Sequence, residues 1–231
     1  VPNVDVLLAA PHAPELEGLE SILGPTMSAT VQGIHVVAKT VGLGLPGVAA
    51  GTTQRLERYR PRAVILLSTC AAYGHRGLTP GQVVVAERLV IADAAVLKGW
   101  ASFPEPMVGE IHTHAGLVGG LTTAGTRRVS AASSCSLTSD VQLAADIVAR
   151  LGCDVEHNEV FGVALACAAY QIPFAAVFGV AYEIGPKSQE TWRTTHRTAT
   201  MGAASLIAAW LRAGAVGVPH GTPPESPITL L

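Results

Sequence analysis

Three glutamates and a tyrosine stand where an α/β chain could do chemistry. Residues 154–185 (DVEHNEVFGVALACAAYQIPFAAVFGVAYEIG) have the pattern of a short strand, a buried helix, a turn and a second buried strand. Glu159 sits where the first strand hands over to the helix, and Tyr182 and Glu183 sit where the second strand runs out. Open α/β sheets bind ligands outside the carboxyl ends of their strands. These groups, with Glu15 in the first turn after an opening strand, could therefore flank one ligand. Each also has a plain alternative. A first-turn glutamate complements a helix dipole, and Tyr182 could be ordinary strand filler. On a regular strand Glu183 points to the face opposite Tyr182, so it can share the site only where the strand has ended.

The elements that must position these groups alternate along the chain. Residues 4–10 (VDVLLAA) fit a buried strand, broken by PHAP at 11–14. Residues 15–23 follow as a helix, with Leu16, Leu19, Ile22 and Leu23 at helical spacing. A hairpin over 27–31 and 34–40 turns at Gln32-Gly33. Then come a helix over 48–59 and strands over 63–68, 83–92 and 127–134. Ser139 and Gln142 have capping-box spacing for a helix that Gly152 ends. Residues 189–213 predict a long helix with Met201, Leu206, Ile207, Trp210 and Leu211 toward the core and Arg193, Arg197 and Arg212 toward water. One α/β domain over 1–213 is expected, followed by a Pro/Gly-rich tail, 214–231, expected to be poorly ordered.

Composition narrows the function classes. The 231 residues are 49% hydrophobic and 14% charged, enough for a large core and a sheet buried on both faces. Seventeen acids against fifteen bases leave a charge of −2, with no electrostatic footprint for nucleic acid and no basic membrane patch. No apolar run reaches the ~20 residues of a spanning helix. No charged segment followed by an apolar core opens the sequence, so no secretory leader is expected. Cys70, Cys135, Cys153 and Cys167 are scattered without a CxxC pair, which suits a reducing cytoplasm.

Three further patterns invite chemistry. Gly42, Gly44 and Gly47 match G-x-G-x-x-G spacing, but the next strand ends in Ser-Thr-Cys rather than an acid, so a dinucleotide is not indicated. Those glycines still leave backbone N–H groups open to an oxygen. The small residues Thr69, Cys70, Ala71 and Ala72 would let a flat ligand lie against the main chain, or would serve loop packing. His112 and His114 would share one face of a strand, as metal ligands can. No carboxylate or thiolate cluster accompanies them, so no metal is expected and a loop or subunit-contact role is preferred.

Five stretches, VGLGLPGVAAGTT (41–53), LLSTCAAY (66–73), LTPGQVVVAERLV (78–90), SLTSD (136–140) and VEHNEVFGVALACAAYQIPFAAVFGVA (155–181), stand in an order that resembles the nucleoside phosphorylase superfamily. Within it the sequence is most similar to the nucleosidase branch: methylthioadenosine/S-adenosylhomocysteine nucleosidases and futalosine hydrolases. The resemblance implies a three-layer αβα fold whose central mixed sheet is partly barrel-like and flanked by helices. It implies that Glu15 activates the attacking water, that Glu159 holds the ribose hydroxyls, and that Asn158 and His12 border the sugar. Thr69, Cys70 and Ala71 match the strand end lining the water and base site. The catalytic Asp of the family falls at Tyr182, preceded by Ala181, and the usual purine-stacking aromatic is missing around 134–137. The resemblance also implies a homo-oligomer, dimeric or built from trimers, and no cofactor.

N-glycoside hydrolysis passes through an oxocarbenium-like state. It is helped by a donor to the leaving base, a carboxylate on the sugar hydroxyls and a second carboxylate that fixes water. The expected function is therefore hydrolysis of a purine-type nucleoside, futalosine-like or a 5′-substituted adenosine. Tyr182, with a reference pKa near ~10, is a weaker acid than Asp, and Glu183 is the adjacent candidate to replace it. The alternative is a nucleoside-binding member with lost or altered catalysis. A phosphorylase is third: Leu66 stands where such enzymes carry a phosphate-binding arginine, and the first loop has none.

Overall fold

The computed structural model describes residues 4–186 and 188–221. The strands are β1 (Val6–Ala10), β2 (Ser28–Val31), β3 (Ile34–Thr40), β4 (Ala63–Ala72), β5 (Val83–Ile91), β6 (Glu110–His112), β7 (Arg127–Ser133), β8 (Val155–Glu156) and β9 (Phe174–Glu183). The helices are α1 (Glu20–Leu23), α2 (Leu45–Tyr59), α3 (Ala94–Leu97), α4 (Ala115–Leu121), α5 (Val141–Leu151), α6 (Val160–Ala169) and α7 (Ser188–Arg212), with a 3-10 segment over Ala13–Leu19.

β4 and β9 are the longest strands, and they pair in parallel along nearly their whole length. Both are apolar without alternation, the pattern of strands covered on two faces. Strand order is β2-β3-β1-β4-β8-β7-β5-β6, and β9 pairs with both β4 and β5. The segment β4-β8-β7-β5-β9 thereby closes on itself, giving the partly barrel-like mixed sheet. One face is covered by α2 and α6, through Val48, Leu56, Val160 and Phe161. The 3-10 segment, α1, α4 and α7 cover the other, through Leu19, Leu23, Leu117 and Ile207. This is the three-layer αβα architecture that the sequence implied.

Several local expectations change. Residues 15–23 form a 3-10 segment and one α-helical turn. Gly18 lies so close to α7 that a Cβ there would meet Ala204 Cβ at 2.6 Å. β4 runs to Ala72, so Thr69 to Ala72 are strand and not loop. Asp140, not Ser139, caps α5: its Oδ1 accepts Leu143 N–H at 2.7 Å. Met201 is 50% exposed on α7, whereas Ile207, Trp210 and Leu211 are buried as expected. His112 lies on β6, and its Nε2 is 3.1 Å from Glu110 Oε1. His114 lies beyond the strand, where its Nδ1 accepts Leu117 N–H at the start of α4. The two rings thus have separate duties. Among the described residues no group of three or more His, Cys, Asp or Glu is arranged to hold a metal. Nor is any described helix long and apolar enough to cross a membrane.

The stretch after α7, expected to be poorly ordered, is tied to the body through Val216 and Pro219. Trp210 Nε1 donates to Val216 O at 2.9 Å, and Arg62 Nε donates to Pro219 O at 2.9 Å. Residues 222–231 lie outside the described residues.

β9 and α7 touch most closely at Gly179, where a Cβ would sit 1.9 Å from Ala199 O. No rotamer relieves a clash with backbone, so the helix itself would have to move. Gly179→Ala should lower unfolding stability by about 3 kcal/mol, measured by urea denaturation. An unchanged midpoint would show that α7 is free to shift.

Candidate active site

A cavity of about 540 Å³ opens at the carboxyl ends of β1, β4 and β9. Its size is that of a small-molecule site. β1 ends at Ala10, and Pro11 and Pro14 force the chain to turn there. The turn swings Glu15 back over β4. Its Oε1 accepts Ser68 Oγ–H at 2.6 Å and Thr69 N–H at 3.2 Å, and its Oε2 accepts His12 N–H at 3.3 Å. Glu15 is 8% exposed. Burial pushes its carboxyl pKa up to about 7, against the pull of those three donors; Glu159 adds a smaller push in the same direction. The result is a carboxylate poised near neutral pH with acceptor capacity left on Oε2, as a general base requires.

Glu159 stands at the start of α6. Its Oε1 accepts Gly44 N–H at 3.1 Å. Gly44 has φ +70°, which suits glycine, and it caps α2. The glycine-rich turn therefore spends an N–H on an internal carboxylate. Behind Glu159, His157 stacks on Phe178 with ring centroids 4.5 Å apart. His157 Nδ1 accepts the N–H groups of Glu159 and Val160 at 3.2 and 3.0 Å. Burial lowers its pKa, so the ring is neutral and carries its proton on Nε2. Glu159 Oε2 is 3.7 Å from that Nδ1, too far for a hydrogen bond, and is left for a ligand hydroxyl. Asn158 lines the cavity and anchors itself through Nδ2 to Ser134 O at 3.1 Å.

Tyr182 also lines the cavity, and it arrives there through a bulge. Along β4 and β9, Thr69 pairs with Gly179 and Cys70 with Val180, but Ala71 pairs with Tyr182. Regular register would have set Ala181 opposite Ala71. The extra residue rotates Tyr182 toward the cavity and leaves Ala181 fully buried and outside the lining. Burial, and next the charge of Glu156, push the Tyr182 hydroxyl up to about 12, so it is a donor and a weak acid. Among the described residues its hydroxyl has no hydrogen-bond partner in the protein.

The cavity gathers Glu15, His12, Thr69, Cys70, Ala71, Asn158, Glu159 and Tyr182 from the sequence candidates. It does not gather Ala181 or Glu183. The Glu183 carboxylate lies against Gly74, 3.1 Å from where a Cβ on that glycine would stand, and the residue is exposed. Glu183 is the last residue of β9 and still pairs with Ala72, so strand alternation turns it off the cavity, where it cannot substitute as the acid. The Cys70 thiol is pushed far up by burial and stays protonated.

Sequence inspection missed Glu156, which lines the floor, and the first turns of α7 at the mouth. Trp192 donates from Nε1 to Thr69 Oγ1 at 3.2 Å and stacks on His196 with centroids 4.4 Å apart. Arg193 joins them in the lining. At the position where a stacking aromatic was sought, Leu137 lines the cavity. No spacing rule links α7 to β4, so Trp192 had no local signal.

A family model described as the phosphorylase superfamily matches residues 11–212. No curated protein matches the sequence. Among solved structures the chain is similar to a 5′-methylthioadenosine/S-adenosylhomocysteine nucleosidase from Helicobacter pylori, with 12% identity and TM-score 0.80 over 91% of this chain and 99% of that one. It is similar to futalosine hydrolase of Helicobacter pylori, with 11% identity and TM-score 0.79 over 91% and 98%. A 5′-methylthioadenosine/S-adenosylhomocysteine nucleosidase from Neisseria meningitidis gives 16% identity and TM-score 0.78 over 90% and 99%. At these identities the likeness is one of fold. With the family model spanning β2 to β9 and all seven α-helices among the described residues, the chain belongs to the phosphorylase superfamily.

Proposed function

We propose that the protein is a nucleosidase that hydrolyses the N-glycosidic bond of a purine-type nucleoside, futalosine-like or a 5′-substituted adenosine. The observation that carries this reading is the pair Glu15 and Glu159 in one cavity, each with carboxylate capacity unspent on the protein. Similarity in fold to nucleosidases and a futalosine hydrolase supports it. Glu159 accepts from the ribose hydroxyls. Ionised Glu15 takes a proton from water as the water oxygen bonds to C1′. The C1′–N bond breaks, and the base leaves with its developing charge met by the Tyr182 hydroxyl and a proton from solvent. No second anion is needed. Leu66 is core at 0% exposure, and among the described residues Arg193 is the one arginine in the cavity lining.

Leu43 and Leu137 are 64% and 52% exposed at the cavity mouth. Apolar surface of this kind favours cover by a second copy of the chain. A second functional reading, nucleoside binding without turnover, is favoured by the high pKa of Tyr182.

A panel of adenine, hypoxanthine and futalosine-type nucleosides, assayed for free base with and without phosphate, separates these readings. Hydrolysis releases base in either condition. Release only with phosphate would make the protein a phosphorylase. No release, with melting-temperature shifts by some nucleosides, would make it a binding protein. Glu15→Gln should reduce base release at least ~100-fold while nucleoside binding persists; undiminished release would remove Glu15 from the mechanism.

Glu15 also sets two pH dependences. The base must be ionised, so kcat/KM should rise with pH through about 7. For stability the sign is opposite. A carboxyl raised from 4.5 to about 7 binds more protons folded than unfolded within that window. Its contribution is complete below 4.5 and lost as pH rises through about 7. Glu15→Gln should therefore gain stability relative to the parent chain between pH 4.5 and 8, by on the order of 2–3 kcal/mol, measured by denaturation at both pH values. A constant difference would show that Glu15 has an ordinary pKa.

A further inference from the structure

Glu156 is a buried carboxylate of the cavity that the proposed hydrolysis does not use. It is 2% exposed. Its Oε2 accepts Tyr73 O–H at 3.0 Å and Thr138 Oγ–H at 2.5 Å, and its Oε1 accepts Thr138 N–H at 2.9 Å. A carboxylate has about four acceptor positions. Three are filled and one remains, on Oε1. All three partners are donors to the carboxylate, and they oppose the rise in its pKa that burial causes.

The sheet register says what the remaining position faces. Ala71 of β4 pairs with Glu156 of β8 on one side and with Tyr182 of β9 on the other. Residues directly opposite across neighbouring strands project to the same face. Glu156 and Tyr182 thus rise on either side of Ala71, whose methyl leaves the space between them open, and all three line the cavity. One flank offers a spare acceptor and the other an unpartnered hydroxyl donor.

Resting on the reading that the cavity holds a purine nucleoside, we propose that Glu156 is a base-specificity residue: its free acceptor position takes an N–H from the 6-amino group of the base while Tyr182 donates to the adjacent ring nitrogen, N7. Adenine offers a donor beside an acceptor along that edge. A 6-oxo base puts a carbonyl oxygen against the carboxylate, and two acceptors then face each other without a proton. The site selects 6-aminopurines. Burial raises the Glu156 pKa, and an N–H from the ligand opposes that rise, so the base completes a carboxylate that the protein alone leaves one donor short.

The test is calorimetric titration of the full chain with adenine, hypoxanthine, unsubstituted purine and 6-methylpurine. Adenine should bind about 10- to 100-fold more tightly than the other three, the worth of one hydrogen bond to a charged group. Glu156→Gln should shrink the adenine-to-purine ratio to within about threefold while purine still binds. Tyr182→Phe should weaken all the bases without changing that ratio, since N7 is common to them. A ratio that survives Glu156→Gln, or hypoxanthine binding more tightly than adenine, overturns the proposal. If Glu156→Gln fails to fold, 6-methylpurine decides with the parent chain alone. It matches adenine in shape and lacks the donor, so equal affinity sinks the idea. Nucleoside cleavage with a ratio insensitive to Glu156→Gln rejects this role and leaves the hydrolase reading standing. An adenine preference erased by Glu156→Gln, with no nucleoside cleaved, does the reverse. Binding of none of the bases and cleavage of no nucleoside overturns both.

Discussion

β4 closes a five-stranded ring, and its register with β9 shifts between Cys70 and Ala71. Everything at the cavity floor depends on that one extra residue. Upstream, β4 is held in parallel by β1 and β9 and is buried on both faces, so it cannot slide. Downstream, its edge must accept the two-residue strand β8. The bulge absorbs the mismatch and exchanges the faces of Ala181 and Tyr182. Regular pairing through Ala181 would set that residue opposite Ala71 and present a methyl group where the cavity now has a hydroxyl. Bulges commonly re-aim side chains beside functional sites.

Around that floor three glutamates share one cavity, and their surroundings differentiate them. Glu15 has three donors and deep burial, and it is balanced near neutrality. Glu156 is also ringed by donors, and burial still outweighs them. Glu159 is the most open to solvent of the three, with a backbone N–H from a turn that only glycine adopts easily. Like charges packed together raise one another's pKa, and Glu159 does so to Glu15. The neutral state of His157 belongs to the same arrangement. A protonated ring could not accept the two N–H groups that begin α6, so the helix start and the neutrality of the ring require each other.

Much of the fold was legible in the sequence because burial on two faces leaves unbroken apolar runs. β1, β5 and β7 fell within a residue or two of their expected bounds, and the order of motifs pointed to the αβα architecture. Glu15 and Glu159 were visible because each sits directly after a strand. What stayed hidden depended on tertiary context. The bulge has no glycine or proline to mark it, so Ala181 was expected at the site and Glu183 stayed available as an acid. Glu156 carried no signal of its own, since its partners Tyr73 and Thr138 are far apart in the chain. Met201 follows helical spacing, but that part of α7 passes the small Gly18 rather than a deep core. The cap of α5 is Asp140 because the helix begins at Val141, one residue later than the spacing of Ser139 and Gln142 suggested.

Of the chain's three tryptophans, Trp100 is exposed beside Lys98, Trp210 is buried in the core, and Trp192 alone lines the cavity, clasped between Thr69 and the ring of His196. Its indole is thus a chromophore built into the entrance. A molecule held in the cavity would lie beside that indole and alter its contact with water. The protein carries an optical reporter of its own occupancy, set on the helix that seals one layer of the fold.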